Sequence, residues 1–392
     1  MIDSQKFYNL LKNEEINFFT GVPDSLLNDF CMYLSDNLSN NEHIIAANEG
    51  NAVGIAAGNY LSTGKLPLVY MQNSGIGNAL NPLISLTNKE TYSIPMVLLI
   101  GWRGAPGTED WAHHKKQGEE SSQILKTLNI PYKILDTTMN NKASEVIQWA
   151  SKTAKKNSSP VAILVKKRIL EKGEKKNLLL EKSELEMTRE DAIETVIRNV
   201  PKNSLFVATT GRATREIVEV RNKLGFGYKN NFLNVGSMGH ASAIVNGIAS
   251  GEKKRLIVCL DGDSAAIMHL GSMAIIGTSG YPNILHIILN NGAHESVGGQ
   301  PSVGQIINFT GIAKNMGYQT VESQIETRKY LVETIETLIK NNNLSKPKFI
   351  DVYIRKGIRN DIPKLNASLN EIKNNFMRII KNTKGSEENE KY

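Results

Sequence analysis

The stretch Cys259–Gly299, CLDGDSAAIMHLGSMAIIGTSGYPNILHIILNNGAHESVGG, contains two apolar runs that each end in a polar turn. The first run ends in Asp-Gly-Asp at 261–263, and the second ends in Asn-Asn-Gly at 290–292. Short apolar runs bounded by glycine and polar residues are typical of buried strands. Helical sequence lies between the two runs, and this alternation favours parallel strands covered on both faces. The stretch therefore predicts a strand–helix–strand unit of an α/β sheet.

The same alternation extends over the whole chain. Apolar runs such as LPLVYMQ and IPMVLLIGW in the first half, and SLFVATTG and KFIDVYIRKG in the second, alternate with helical patterns. We predict an α/β protein with two doubly wound parallel-sheet domains at 1–167 and 188–381, a charged linker at 168–187 and a disordered tail at 382–392. Thr188 is the candidate N-cap of the helix that opens the second domain.

Composition excludes several classes of function. The chain of 392 residues has a net charge of +7, but its lysines are scattered and mixed with acidic residues. Because basic patches with interleaved aromatics are missing, we expect no nucleic-acid partner. No apolar run reaches the length of a membrane span, and the N-terminal segment does not resemble a secretory signal. With only two cysteines, the chain is expected to be cytoplasmic, without a membrane partner.

Ligands of doubly wound sheets bind outside the carboxyl ends of the strands. The polar and glycine residues that follow the apolar runs are therefore candidate ligand-binding residues, although each alone is also ordinary turn chemistry. They are Glu49, Gln72, Asn73, Arg103, Gly211, Gly236, Ser237, Met238, Gly262, Asp263, Ser264, Ala265, Asn291 and His294.

Asp263 and Asn291 supply oxygen ligands of the kind that Mg²⁺ prefers, and Mg²⁺ shares its octahedron with phosphate oxygens. A helix is predicted to begin at Asp263, so its first N–H groups, with Ser264 and Ala265, are placed to bind phosphate. The residues themselves thus predict a Mg²⁺-bridged diphosphate held between two strand ends. Asp261 is interpreted as a strand-end residue.

This pattern resembles the thiamin-diphosphate enzymes, whose signature is Gly-Asp-Gly-Ser followed by Asn-Asn. Here the signature is Gly262-Asp263-Ser264-Ala265 with Asn290-Asn291, so that Ser264 replaces the usual glycine. The resemblance implies that thiamin diphosphate and Mg²⁺ are the cofactors. It also implies that Asp263, the Asn291 side chain and the Ala293 carbonyl are the metal ligands.

The first half of the chain strengthens the resemblance. In AANEGNAVGIAAG, Glu49 lies where the family has the glutamate that bonds the aminopyrimidine of the cofactor. The alternative for an isolated Glu49 is capping of the next helix. Met238 in GSMGH lies where the family packs an apolar side chain under the bent cofactor. The family also implies a pyrimidine-binding first domain and a diphosphate-binding second domain.

Within the family, the chain is similar to the phosphonopyruvate and sulfopyruvate decarboxylases, since it lacks a middle domain. The resemblance implies decarboxylation of 3-phosphonopyruvate to phosphonoacetaldehyde and CO₂ through the C2 ylid of the cofactor, in phosphonate biosynthesis. Sulfopyruvate decarboxylases commonly divide the two halves between subunits, which favours the phosphonate for a chain that has both. The alternatives are a sulfopyruvate decarboxylase and a non-catalytic nucleotide-binding protein. No G-x-G-x-x-G follows the first strand of either domain, which disfavours the latter.

The substrate anion needs basic partners. Arg103, His114, His294 and Arg215 are the candidates, and either histidine is also a candidate proton donor. Asp24 is a second candidate for steering protonation, with helix capping as its ordinary alternative. The segment GTEDWAHH departs from the Asp-Glu-Pro-Gln run that is usual in the family, and it doubles the histidine at 113–114. The resemblance further implies a homo-oligomer with active sites at subunit interfaces.

Overall fold

The computed structural model describes residues 1–137, 142–170, 185–322, 324–340, 345–357, 359, 361–362 and 367–388, the side chains of 382–388 excepted. The chain divides into two compact units. Unit 1 comprises Met1–Leu178 and His294–Pro301, and unit 2 comprises Leu179–Ala293 and Ser302–Tyr392.

Unit 1 alternates six helices with six strands. In chain order they are α1 (Ser4–Asn13), β1 (Phe19–Gly21), α2 (Asn28–Asn37), β2 (His43–Ile45), α3 (Glu49–Thr63), β3 (Leu68–Gln72), α4 (Ile76–Ser85), β4 (Val97–Gly101), α5 (Ala112–Thr127), β5 (Tyr132–Leu135), α6 (Ala143–Asn157) and β6 (Val161–Val165). The strands form one sheet in the order β2-β1-β3-β4-β6-β5, and every pair is parallel.

The hydrophobic pattern of β4 and β6 explains why these two strands lie inside the sheet. All five residues of β4 and of β6 are buried, as expected for parallel strands with helices on both faces. Two apolar clusters cover the two faces of the sheet, one around Phe7 and Phe30 and the other around Met71 and Leu98. Helix α3 begins where the Asn48 side chain accepts from the Asn51 N–H and ends at Gly64, which is left-handed at φ 67°.

Unit 2 repeats the design with a second sheet. The elements that follow β6 are α7 (Arg189–Asn199), β7 (Leu205–Ala208), α8 (Ala213–Lys223), β8 (Asn231–Leu233), α9 (Ala241–Gly251), β9 (Ile257–Gly262), α10 (Asp263–Met268), α11 (Gly271–Gly277), β10 (Ile284–Asn290), β11 (Ala293–His294), β12 (Gln300–Pro301), α12 (Phe309–Asn315), β13 (Gln319–Thr320), α13 (Arg328–Lys340), β14 (Lys348–Tyr353) and α14 (Leu369–Glu388). The second sheet has the order β13-β14-β10-β9-β7-β8, again parallel throughout.

Both sheets change winding direction at their first strand. In unit 1 the chain moves from β1 to β2 on one side and to β3 on the other, and in unit 2 from β7 to β8 and to β9. The carboxyl ends of β1 and β3, and those of β7 and β9, are therefore the topological switch points where such sheets bind ligands. The predicted pair of doubly wound parallel-sheet domains is confirmed.

The structure describes parts of the predicted linker and of the predicted tail. Thr188 caps α7 as predicted, in a reciprocal capping box with Asp191. Within the predicted linker at 168–187, Ile169 and Leu170 are buried in unit 1 and Met187 is buried in unit 2, whereas 171–184 lie outside the described residues. Helix α14 continues to Glu388, so it extends into the predicted tail, of which 389–392 are not described.

No helix in the described ranges has the length and apolarity to cross a membrane.

Candidate active site

The acidic residue of the signature lies at the junction of β9 and α10. Asp263 is the first residue of α10 and is 2% exposed. Burial raises the pKa of its carboxyl to about 6, against the hydrogen bonds from Ser302 and from the Ser264 N–H, which lower it. Within the described residues no basic side chain forms an ion pair with Asp263. A buried carboxylate without a cation has the electrostatic character of a metal ligand.

The two asparagines at the end of β10, Asn290 within the strand and Asn291 after it, have different partners. Asn290 donates from Nδ2 to the Gly304 carbonyl at 2.8 Å and to Asp351 Oδ1 at 3.1 Å. Asn291 accepts from the Ala293 N–H at 3.1 Å through its own Oδ1. Strands β9 and β10 are adjacent, with Leu289 opposite Gly262, so both asparagines lie at the end of β10 beside the start of α10. The sheet thus brings the two halves of the signature together.

Gly304 is a residue that sequence reasoning missed. A Cβ at this position would overlap Asp263 Oδ2 and would lie 2.8 Å from Asn290 Oδ1, so only glycine leaves this space open. Ser302, two residues earlier, donates to Asp263 from its hydroxyl. Both residues belong to the run QPSVGQ, in which the glycine was the available signal.

The other candidate residues of unit 2 lie on α10 and on the loops that follow β7 and β8. Ser264 is 7% exposed, and its Oγ has no hydrogen-bond partner in the part of the chain that is described. Gly236 and Ser237 both have positive φ, 81° and 42°, and the Gly236 N–H donates to Thr210 Oγ1 at 2.9 Å. Such successive left-handed residues turn N–H groups toward one side of a loop. Gly211, at φ 104°, directly follows Thr210 after β7.

Met238 lies in the same loop and is half-buried. The next residue, Gly239, comes so close to α10 that a Cβ would lie 3.0 Å from the Ala265 carbonyl oxygen. The rings of His240 and His269 lie 4.5 Å apart between centroids, at an interplanar angle of 55°. The loop is therefore packed against the helix on which Ser264 and Ala265 lie.

In unit 1, Glu49 is the first residue of α3 and is 5% exposed. Its Oε2 accepts from Asn78 Nδ2 at 2.8 Å. Burial raises the pKa of Glu49, which outweighs the Asn78 hydrogen bond that lowers it. Gly75 passes close to this carboxyl, because an added Cβ would overlap Oε1. The helix cap itself is Asn48, so capping of α3 does not explain Glu49.

Gln72 and Asn73 end β3. Gln72 donates to Ser74 Oγ at 2.6 Å. Asn73 is 4% exposed. Its Nδ2 donates to the Arg103 carbonyl at 2.9 Å, and its Oδ1 accepts from the Arg103 N–H at 3.0 Å. It also donates to Ser121 Oγ at 2.9 Å. The side chain of Asn73 thus connects the ends of β3 and β4.

Arg103 follows β4 and is held by Asp110. Its Nε donates to Asp110 Oδ2 at 2.7 Å and its Nη2 to Oδ1 at 2.5 Å, a bidentate pair. Its Nη1 donates to Ser25 Oγ at 2.8 Å. Asp110 was not among the residues singled out in the sequence, because a single acidic residue in a loop carries no distinguishing pattern.

His113 and His114 lie next to this pair, at the start of α5. Their rings are 4.0 Å apart between centroids. His114 is buried, and its Nδ1 has no hydrogen-bond partner among the residues described. Burial, then the charges of Arg103 and His113, lower the pKa of His114 to about 4.

Asp24 follows β1 and is fully buried. Its Oδ2 accepts from the Leu26 N–H at 3.0 Å, whereas the N-cap position of α2 is Leu27, which makes no side-chain capping hydrogen bond. Burial raises the pKa of Asp24 to about 6, while the Leu26 hydrogen bond and the charge of Arg103 lower it. Its Oδ1 has no partner in the described structure. Helix capping therefore does not account for Asp24.

The remaining two candidates lie on other elements. His294 ends β11, and burial lowers its pKa to about 4. Arg215 lies in the first turn of α8 and is partly buried.

A further polar group occupies the core of the second sheet. Cys259 and Asp261 lie on one face of β9, and His286 lies opposite Cys259 on β10. The side-chain atoms of these three residues that could bind a metal ion all lie within 4.8 Å of one another. The distance from His286 Nε2 to Asp261 Oδ2 is 3.6 Å. Asp261 is fully buried and bonds the Gly262 N–H at 3.0 Å, consistent with its interpretation as a strand-end residue.

Comparison with known proteins gives matches in both units. Residues 4–124 match the family described as thiamine pyrophosphate enzyme, N-terminal TPP binding domain. Residues 218–352 match the family described as thiamine pyrophosphate enzyme, C-terminal TPP binding domain.

Three relatives illustrate the similarity. A phosphonopyruvate decarboxylase of Streptomyces viridochromogenes is 26% identical over 92% of this chain and 90% of its own length. A sulfopyruvate decarboxylase of Methanosarcina acetivorans is 26% identical over 96% of this chain and 97% of its own length. The sulfopyruvate decarboxylase subunit alpha of Methanocaldococcus jannaschii is 36% identical over 42% of this chain and 93% of its own length.

The second of these relatives corrects one step of the sequence argument. A protein named sulfopyruvate decarboxylase aligns along nearly its whole length with nearly the whole of this chain. The presence of both halves in one chain therefore does not distinguish a phosphonate from a sulfonate substrate.

Proposed function

Because the chain belongs to the thiamine pyrophosphate enzymes and is a thiamin-diphosphate-dependent 2-oxo acid decarboxylase, we propose that it converts 3-phosphonopyruvate to phosphonoacetaldehyde and CO₂. The observation that carries the proposal is the arrangement around Glu49, a buried carboxyl with a raised pKa against which only a glycine fits. Full-length similarity to phosphonopyruvate decarboxylases supports the choice of substrate.

Glu49 is assigned the acid–base role toward the cofactor. A raised pKa extends the pH range in which its carboxyl is protonated and able to donate to a ring nitrogen. Asn78 orients the carboxyl by bonding Oε2, which leaves Oε1 for the cofactor. When bound, thiamin diphosphate supplies the electron sink for the electrons released with CO₂.

Unit 2 is assigned the diphosphate and a Mg²⁺ ion. The donor set of Asp263, Asn291 and the Ala293 carbonyl consists of hard oxygens, which fits Mg²⁺. The absence of a cationic partner at buried Asp263 within the described residues, and the space kept free by Gly304, support the same assignment. The unpartnered Ser264 hydroxyl is suited to a phosphate oxygen. The other cofactor-binding residues that we propose are Gln72, Asn73, Gly211, Gly236, Ser237, Met238, Gly262 and Ala265.

The substrate is assigned to the basic residues that were selected from the sequence, together with Asp24. Arg103 and Arg215 carry positive charge, which suits an anionic head group. His114 and His294 are neutral at pH 7 because burial holds their pKa values near 4. An anionic substrate beside either ring would raise that pKa, so that substrate binding itself would prepare a proton donor. Asp24, whose pKa is raised to about 6, is the acidic partner that we assign to this group.

Sulfopyruvate is the second candidate substrate, and the relative from Methanosarcina acetivorans favours it. The experiment that decides is a comparison of kcat/KM for CO₂ release from 3-phosphonopyruvate, sulfopyruvate and pyruvate. We expect phosphonopyruvate to have the highest value. A higher value for sulfopyruvate would replace the proposed substrate.

Three further assignments complete the proposal. The enzyme is a homo-oligomer whose active sites lie at subunit interfaces, in keeping with relatives that are named as subunits. It acts in the cytoplasm, and its aldehyde product enters phosphonate biosynthesis.

A further inference from the structure

Each nitrogen of the Arg103 guanidinium already donates one hydrogen bond within unit 1. Asp110 accepts from Nε and Nη2, and Ser25 accepts from Nη1. Asp110 also accepts from the N–H groups of Gly104 at 3.0 Å and Trp111 at 2.8 Å. The carboxylate therefore occupies the Nε–Nη2 edge of the guanidinium, one of the edges that can bind two oxygens of a phosphonate or sulfonate group at once.

The charges of this group cancel. Arg103 contributes one positive charge and Asp110 one negative charge, and the side chains of the pair are 18% and 11% exposed. His113 and His114 beside them are held neutral, because burial and then the Arg103 charge lower the pKa of each. Asp24 is the other acidic group that interacts with Arg103. With Asp110 in position, these groups offer no net positive charge to an anion.

The segment that carries Asp110 is suited to movement. Gly104 and Gly107 precede it in left-handed conformations, at φ 65° and φ 80°. No heavy atom lies within 4 Å of the place where a Gly107 side chain would be, and Glu109 is exposed. Trp111, at the other end of the segment, is 41% exposed. Residues 106–109 are thus exposed and free to change conformation, whereas Gly104 and Ala105 are buried and anchor the start of the segment.

We propose that Asp110 is an exchangeable counter-ion, which the anionic head group of the substrate displaces from Arg103 when it binds. This inference rests on the proposed function, in which Arg103 binds that head group. Displacement couples substrate binding to a movement of residues 106–111. It also means that an anionic substrate must compete with a preorganised carboxylate, whereas pyruvate, which has no second anionic group, does not.

The exchange predicts a selective effect of Asp110→Asn. The amide is uncharged and holds the guanidinium less strongly, so the competitor for the head group is lost. KM for 3-phosphonopyruvate and for sulfopyruvate should fall about tenfold, the ratio that corresponds to about 1.4 kcal/mol. KM for pyruvate should not change. Inhibition by methylphosphonate should strengthen by a similar factor, and Glu109→Gln is the matched control, since this exposed neighbour bonds no part of Arg103 in the described structure.

A purely structural Asp110 gives a different result. If the carboxylate only positions Arg103, then Asp110→Asn raises KM for the two anionic substrates or changes all three KM values alike, and the inference is wrong.

A second measurement uses the unmodified holoenzyme, with Trp111→Phe as the control that assigns the signal. Trp111 adjoins Asp110, so methylphosphonate should produce a saturable change in tryptophan fluorescence that disappears in Trp111→Phe. Methanesulfonate, a monoanion, serves as the second probe. If neither probe changes the Trp111 signal at concentrations that inhibit turnover, the exchange does not occur. Absence of CO₂ release from either anionic substrate would instead overturn the proposed function, and the fluorescence titration would still decide the exchange.

Discussion

Glu49 and Asn78 form a 2.8 Å hydrogen bond between the first turn of α3 and the first turn of α4. The bond engages one carboxyl oxygen, Oε2, at a side chain that is 5% exposed. The second oxygen faces the Gly75 backbone, where no side chain would fit. A carboxyl that is buried, oriented and left with one accessible oxygen is suited to exchange a proton with a single partner.

Replacement of this carboxyl by an amide should separate binding from catalysis. Glu49→Gln keeps the size of the side chain and its contact with Asn78 but cannot exchange a proton. We expect kcat to fall about a hundredfold or more, in the range of general acid–base catalysis. Thiamin diphosphate affinity, measured by circular dichroism, should change little. The control is Glu119→Gln, which removes an exposed carboxyl on α5. Unimpaired turnover in Glu49→Gln would remove Glu49 from this role.

The glycines near Glu49 give a steric test. In Gly75→Ala, the new methyl group overlaps Glu49 Oε1, and displacement of the carboxyl should lower kcat about tenfold or more, since overpacking of this kind costs about 1–3 kcal/mol. Gly77→Ala is the matched control, because no atom lies within 4 Å of its added Cβ. Equal activity of the two variants would show that the position of the Glu49 carboxyl is not critical.

Gly304 provides the corresponding test in unit 2. An alanine there overlaps Asp263 Oδ2. We expect Gly304→Ala to weaken Mg²⁺-dependent cofactor binding about 10- to 100-fold, the usual effect of disturbing the surroundings of a metal ligand. Gly247→Ala on α9 is the control, since its Cβ meets nothing within 4 Å. Isothermal titration with thiamin diphosphate and Mg²⁺ measures both, and unchanged affinity in Gly304→Ala would refute a metal at Asp263.

Asp24 should make stability depend on pH. Its folded-state pKa, about 6, lies above its ordinary value of 3.8, because burial disfavours the charged form. A raised acid pKa means that stability is highest below pH 4 and decreases as the pH rises through 6. The two-unit difference corresponds to about 3 kcal/mol. Asp24→Asn should therefore be more stable than the wild type at pH 7.5 and similar to it at pH 4. Urea unfolding at both pH values tests this, and a gain of equal size at both would contradict it.

Mixed oligomers test whether two chains share each site. Glu49→Gln and Asp263→Asn impair different halves of the site, one in unit 1 and the other in unit 2. If each site combines halves from two subunits, co-expressed and doubly purified mixed oligomers regain activity, because some sites then contain neither substitution. Oligomers of either variant alone remain impaired. Mixed oligomers without recovery would indicate that each site uses halves of one chain.

The strand-end motifs were sufficient to predict the fold and the proximity of Asp263 and Asn291 at one edge of the second sheet. Asp263 and Asn291 could be related from their spacing, because parallel strands bring successive carboxyl ends to one edge. Glu49 could be selected because a small-residue helix follows it. These features depend on local sequence and on regular sheet topology.

Other features depend on contacts between distant segments and carry no local pattern. Asp110 binds Arg103 through a loop whose sequence departs from the family, and Gly304 approaches Asp263 from a segment about 40 residues later. The two hydrogen bonds between the Asn73 side chain and the Arg103 backbone likewise become apparent only in the three-dimensional structure. Tertiary packing brings such residues together, and the spacing of motifs along the sequence does not predict it.

The most direct test of the account is CO₂ release from 3-phosphonopyruvate by protein that has been dialysed against a chelator. We predict no release by the dialysed protein, and full release, with one phosphonoacetaldehyde per CO₂, once thiamin diphosphate and Mg²⁺ are both restored. Release that does not depend on thiamin diphosphate, or no release with both cofactors present, would contradict it.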